Sequence, residues 1–167
     1  MQSPEPAADD AAQVLDSLRR IVRGLRATAH SVERSMGISG AQLFVLRELA
    51  AEPGVSLRRL SERTLTDPSS VSVVVARLVE LGFVARRQDR ADARRSVLTL
   101  SPRGHALLAR APEPFQARLV ATLRGFPRAR LRRMNADLAS VVDALGIGGG
   151  APPMFFETAA KGSRRAS

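Results

Sequence analysis

Apolar residues recur at three- and four-residue intervals through Val14, Leu18, Ile21, Val22, Leu25, Ala29, Val32 and Met36, and the pattern stops at Gly37. That spacing returns each position to one side of a helix and predicts a first helix of about six turns. A second helix follows Ser39, whose hydroxyl is placed to cap it, and carries Leu43, Val45, Leu46 and Leu49 to a turn at Glu52-Pro53-Gly54. Ser56 caps a short third helix, Leu57 to about Thr64, with Leu57, Leu60 and Thr64 inward. The run Ser69 to Val75 alternates like a strand and is rich in β-branched residues. Helix nevertheless prevails there. Asp67 offers a capping oxygen, Pro68 stands where a missing N–H costs nothing, and Val71, Val74, Val75, Leu78 and Gly82 share one helical face.

Gly82 ends that fourth helix, and Phe83 to Arg87 and Ser96 to Leu100 then read as an antiparallel pair around a charged loop. Ser101-Pro102 opens another helical pattern through Leu107, Leu108, Phe115, Leu119 and Leu123, which Pro112 and Pro114 are expected to kink or interrupt. A last helix, roughly Pro127 to Leu145, carries Leu131, Met134, Leu138, Val141, Val142 and Leu145 in a narrow, nearly heptad-spaced stripe suited to partner helices. Helix, turn, capped helix and short strand pair, in that order, are what a winged helix-turn-helix requires. The expected fold is therefore mainly α with a small antiparallel β wing.

One domain, about 13–146, is expected, with the lobe at about 39–101 between long helices at about 13–36 and 102–146. Residues 1–12 are acidic and Pro/Ala-rich and are expected to form a disordered arm; 147–167 read as a flexible tail, Gly/Pro-rich and then basic. Met154-Phe155-Phe156 is the apolar spot in that tail, and the sequence gives no account of it. The 167 residues, 44% apolar, suffice for one core plus a separate helical interface.

Charge adds direction. The formal net charge is +10, and all 26 basic residues except Lys161 are arginine, a surplus that favours a polyanionic partner. A GC-rich genome also enriches arginine, so the clustering of the arginines says more than their number. The absence of cysteine excludes disulfides, thiolate zinc sites and cysteine-based sensing. No apolar run approaches the roughly 18 residues of a membrane span, and a cytoplasmic location is expected. His30 and His105 lie on different helices without cysteine or spaced carboxylates, so neither metal nor cofactor is implied. Nucleophile elbow, phosphate loop and paired catalytic carboxylates are all lacking, which argues against an enzyme.

With the valines of the fourth helix inward, its outward arc is Ser69, Val73, Ala76 and Glu80, flanked by Ser70, Ser72 and Arg77. Small side chains near a helix N-terminus let backbone approach a major groove, hydroxyls bond base edges or phosphate, and the helix dipole favours phosphate. Val73 is placed to meet a thymine methyl, although a single exposed valine is commonplace. In the loop, Arg86, Arg87, Arg90, Arg94 and Arg95 fall within ten residues, with Asp89 and Asp92 able to orient their neighbours. A solvated charged hairpin is the alternative. Its position after two capped helices favours DNA.

These residues resemble the MarR family of bacterial transcriptional regulators. The resemblance is carried by Ser39-Gly-Ala-Gln-Leu-Phe-Val-Leu, by Ser61 to Val75, by Leu78 to Arg86, and by Asp92-Ala-Arg94 followed by Leu100-Ser-Pro-Arg-Gly104. It covers about Ala11 to Leu145. It implies a homodimer in which the first and last helices interlock, two lobes reading a pseudo-palindromic double-stranded operator, and often a small anionic or aromatic effector that relieves repression. By position Arg94 resembles the minor-groove arginine, with Asp92 as its orienter. Arg26 and His30, one turn apart on the first helix, are candidates to line the effector cleft. Ala93, Val73 and Ser101 depart from the common pattern, so base preference does not carry over. A low-specificity architectural DNA-binding protein, and an interaction module without a DNA role, are the alternatives.

Overall fold

The computed structural model describes residues 6–88, 96–150 and 152–155. Their elements are α1 Pro6–Met36, α2 Gly40–Ala51, α3 Leu57–Thr64, α4 Pro68–Glu80, β1 Val84–Gln88, β2 Ser96–Leu100, α5 Pro102–Leu108, α6 Phe115–Arg124 and α7 Arg128–Ala144. None of these helices is long and apolar enough to cross a membrane. The mainly helical fold with one small antiparallel sheet is the one expected.

α2 is the hub. Ser39 and Gln42 form a reciprocal cap at its start, each side chain bonding the other's backbone N–H. From there Ala41, Leu43, Phe44, Val45, Leu46 and Leu49 are buried, so apolar residues occupy nearly every side of the helix rather than one stripe. A helix of that kind must be wrapped, and α1, α3, α4, α5, α6 and β2 all pack on it. Arg47 reaches out of this core to the Ala111 carbonyl at 2.6 Å, tying α2 to the segment between α5 and α6. That segment, around Pro112 and Pro114, is where the chain breaks the helical run into two.

α1 begins at Pro6, well inside the stretch expected to be a disordered arm. Local pairs support the early start: Gln13 donates to Asp9 at 3.0 Å and Arg20 to Asp16 at 2.7 Å, each one turn apart. Only the second half of α1 enters the core, through Leu25, Ala29 and Val32. There Gly24 meets α6 so closely that a Cβ would fall 2.4 Å from the Phe115 ring. The first half leaves Val14, Leu15, Leu18, Ile21 and Val22 exposed, and α7 has no buried residue at all.

Ser56, Asp67 and Ser101 cap α3, α4 and α5 as expected. The inward side of α3 is Leu60, Ser61 and Thr64, with Leu57 only partly buried. β1 and β2 pair with Val84 opposite Leu100 and Gln88 opposite Ser96. The sequence did not signal that Val55, just past the Pro53-Gly54 turn, joins this ribbon. Leu98 N donates to Val55 O at 2.9 Å, and Gly54 N to Leu98 O at 3.0 Å. Pro152–Phe155 also departs from the expected free tail: it lies against the body, with Met154 in the main core cluster.

Candidate nucleic-acid interface

The two-helix unit α3–α4 is fixed by short-range chemistry. Leu65, at the end of α3, takes a left-handed backbone conformation with φ of 54°, which turns the chain toward α4. Asp67 then accepts from the backbone N–H groups of Ser69 and Ser70, both at 3.0 Å, and from the Ser69 hydroxyl. These donors, Ser69 first and Ser70 next, hold the Asp67 carboxyl well below the usual carboxylate range. Behind the turn, Arg63 bridges Glu48 and Glu52 of the second helix, each at 2.8 Å, and Arg59 reaches Glu52 at 3.2 Å. The Arg59 hydrogen bond is the main reason that the Glu52 carboxyl is also lowered. This acid-base net was not singled out in the sequence, although Glu48, Glu52, Arg59 and Arg63 lie at helical spacing on facing helices. Their role is to fasten α3 to α2, which withdraws two arginines from the pool available to a polyanion.

α4 turns Val71, Val74, Val75 and Leu78 into the core. Ser69, Val73, Ala76, Arg77 and Glu80 are exposed, and Ser70 and Ser72 are partly buried. The arc expected from the helical wheel is thus the solvent face of the helix, with Val73 half exposed at its centre. Arg77 Nη1 lies 2.9 Å from Glu80 Oε2, so this arginine is paired along its own helix. Ser70 Oγ is 3.5 Å from the Pro152 carbonyl oxygen, which places the C-terminal segment at the flank of the arc.

On the wing, Arg86 and Arg87 are exposed and stand opposite Leu98 and Val97. Successive strand residues alternate faces, so the two guanidinium groups leave the ribbon on opposite sides and do not form one patch. Arg90, Asp92, Arg94 and Arg95 lie outside the described residues. Arg26 and His30 are exposed on α1 and line a shallow apolar trough with Leu18, Arg19, Val22 and Arg23. Every residue lining that trough belongs to α1. Among the described residues no group of three or more histidines and carboxylates could hold a metal ion.

A lobe in which a capped, slim-faced helix is presented beside a β ribbon defines a winged helix-turn-helix protein. A family model described as MarR family matches residues 36–95, which begin just before α2 and end within the wing. The chain is 29% identical over 126 residues to the HTH-type transcriptional repressor Rv2887 of Mycobacterium tuberculosis, covering 74% of this chain and 91% of that one. It is 33% identical over 70 residues to the transcriptional regulator HosA of Escherichia coli, 42% of this chain and 52% of that protein. Among solved structures, BpsR of Bordetella bronchiseptica is similar with a TM-score of 0.55 at 28% identity, covering 84% of this chain and 99% of that one. The MarR family transcription regulator SP03579 shares the fold with a TM-score of 0.54 at 21% identity, covering 86% and 97%. By the family model over its lobe and by these relatives over most of its length, the chain is similar to transcriptional regulators of MarR type.

Proposed function

We propose that the protein is a homodimeric, sequence-specific repressor that reads a pseudo-palindromic operator and leaves it when a small aromatic or anionic effector binds. The observation that carries this is the outward face of α4, where Ser69, Val73 and Ala76 stand exposed over a fully apolar inner face. Side chains this short admit the helix to a major groove, and Ser70, Ser72 and Arg77 at its margins supply donors to base edges and phosphates. Arg86, Arg87, Arg90 and Arg95 serve phosphates from the wing. Arg94, oriented by Asp92, enters the minor groove.

Two features support the rest. Exposed apolar side chains on the first half of α1 and along α7, among them Val14, Ile21, Leu138 and Val141, demand a partner, and a second copy supplies matching stripes. Dimer geometry then has to set two α4 helices about 34 Å apart to enter successive major grooves. The α1 trough has one wall from a single helix, with Arg19, Arg23, Arg26 and His30 around an apolar floor. Closed by a partner, it offers an aromatic carboxylate both a stacking surface and cations. The similar protein BpsR has its DNA binding regulated by 6-hydroxynicotinic acid, a ligand of that chemistry. An effector shifts the lobes only through unequal affinity for their two arrangements.

Selecting bound fragments from the source genome with purified protein tests this directly. Two half-sites about one helical turn apart, bound at least about a thousandfold more tightly than bulk DNA, are expected. A specificity ratio near one would make the protein an architectural DNA-binding protein instead.

A further inference from the structure

The chain after α7 returns to the lobe. Gly146 and Gly150 have left-handed φ angles of 66° and 69°, with Gly148 and Gly149 between them, so the backbone reverses there at little steric cost. Pro152–Phe155 then lies in a groove between the α3–α4 turn, at Leu65 and Asp67, and α6, at Leu119, Val120 and Leu123. The walls are fastened to each other without it, since Arg124 at the end of α6 donates to the Arg63 carbonyl at 2.7 Å. Of the four residues only Met154 is buried, at 3% exposure, and Phe155 beside it is half exposed. One side chain seats the segment. At its other end the Pro152 carbonyl oxygen stands 3.5 Å from Ser70 Oγ, in the first turn of α4.

We propose that Pro152–Phe155 is an autoinhibitory strap, which covers the N-terminal end of α4 while Met154 is seated and must leave before a duplex reaches Ser70. The inference rests on the DNA-binding function above. In helix-turn-helix docking the first residues of the second helix approach the DNA, and the Pro152 peptide stands where a phosphate has to come. The two are mutually exclusive. A serine hydroxyl has one proton to donate, and at 3.5 Å the Pro152 carbonyl holds it at the long limit of a hydrogen bond, so a charged phosphate oxygen is the stronger claimant. The seated strap also carries a cost of its own. Asp67 Oδ2, in the groove wall, is shut from water and accepts no hydrogen bond among the described residues, and water entering an emptied groove satisfies it. A glycine hinge, a single anchoring side chain and a weak polar contact together make a segment built to open.

The test titrates the full chain and Met154→Gln, a neutral variant of similar length, onto the selected operator and onto a mixed-sequence duplex by fluorescence anisotropy. A strap seated in about nine chains of ten lowers apparent affinity about tenfold, so the variant is expected to bind both duplexes about three- to tenfold more tightly with an unchanged melting transition. Equal or weaker binding overturns the proposal. The converse measurement closes the strap: Leu123→Cys combined with Phe155→Cys, in a chain that has no cysteine of its own, lets a short bis-maleimide hold the segment in its groove. The linked protein is expected to bind at least about tenfold more weakly than the same variant with both thiols capped by N-ethylmaleimide. Linked protein that binds as well as the capped form overturns the proposal, because the seated strap then coexists with DNA. If neither parent nor Met154→Gln binds any duplex, the DNA-binding function itself fails and the strap with it; if both bind equally, only the strap fails.

Discussion

Gly104 packs its bare Cα against the carbonyl of Phe83, so closely that a Cβ there would stand 2.3 Å from the oxygen. The obstacle is backbone and cannot swing away. The same carbonyl accepts from Ser101 N at 2.9 Å, and Ser101 Oγ donates to Gly82 O at 2.7 Å, so the start of α5 is clamped to the end of α4. Gly104→Ala is expected to destabilise the protein by about 2–3 kcal/mol in urea unfolding, the range for forcing atoms into a packed site. A loss below about 0.5 kcal/mol would mean that the clamp yields freely.

Asp67 couples the helix cap to pH. Its carboxyl is lowered in the folded chain by the Ser69 and Ser70 donors. A lowered folded value contributes stability that is complete above the unfolded value of about 3.9 and is lost as pH falls from there through the folded value. Asp67→Asn keeps a capping oxygen and should remove this acid-dependent part. Asp67→Ala should lower the melting temperature at neutral pH by about 2–4 °C. Thermal unfolding across a pH series checks both; a parent chain whose acid dependence matches that of the asparagine variant contradicts the account.

Glu80 lies on the exposed arc of α4 that we propose meets DNA, and holds Arg77 at 2.9 Å. An exposed pair of this kind contributes little to stability, but its carboxylate repels phosphate and occupies the arginine. Glu80→Gln should leave the melting temperature unchanged and tighten DNA binding about threefold per chain, measured by fluorescence anisotropy at low salt. Weaker binding would assign Glu80 a contact of its own with the duplex.

Arg94→Ala is expected to weaken operator binding and reduce the slope of log affinity against log salt by about one per chain. Binding that is unchanged through the whole salt titration removes Arg94 from the interface.

The exposed stripes of α1 and α7 give the fifth expectation. Val22→Asp combined with Val141→Asp places charge on both faces and should yield monomers in sedimentation while the lobe keeps its melting transition. Operator affinity then falls about a hundredfold or more, because two linked lobes bind as one event and separate lobes do not. A variant that stays dimeric moves the subunit contact elsewhere.

What the sequence disclosed was governed by short-range chemistry. Ser39, Ser56, Asp67 and Ser101 announce helix starts because a side-chain oxygen satisfies N–H groups two or three residues ahead. The same caps decide α4 in favour of helix over strand despite its valines. The outward arc followed from periodicity alone. Long-range contacts left weaker marks: Val55 on Leu98, Arg63 between two glutamates, and Met154 in its groove each join residues far apart in sequence, and no spacing rule reports them. The early start of α1 was hidden by an acidic, Pro/Ala-rich composition shared by disordered arms and first helical turns. Arg86 and Arg87 looked like one basic cluster, and strand alternation separates them.

Val55, the one-residue bridge to β2, carries a consequence for signalling. Because that bridge stitches the turn before α3 to the strand that bears the wing, helix and ribbon cannot swing independently. Anything that tilts one drags the other, so a duplex would be gripped or let go at both grooves together, a switch rather than a dial.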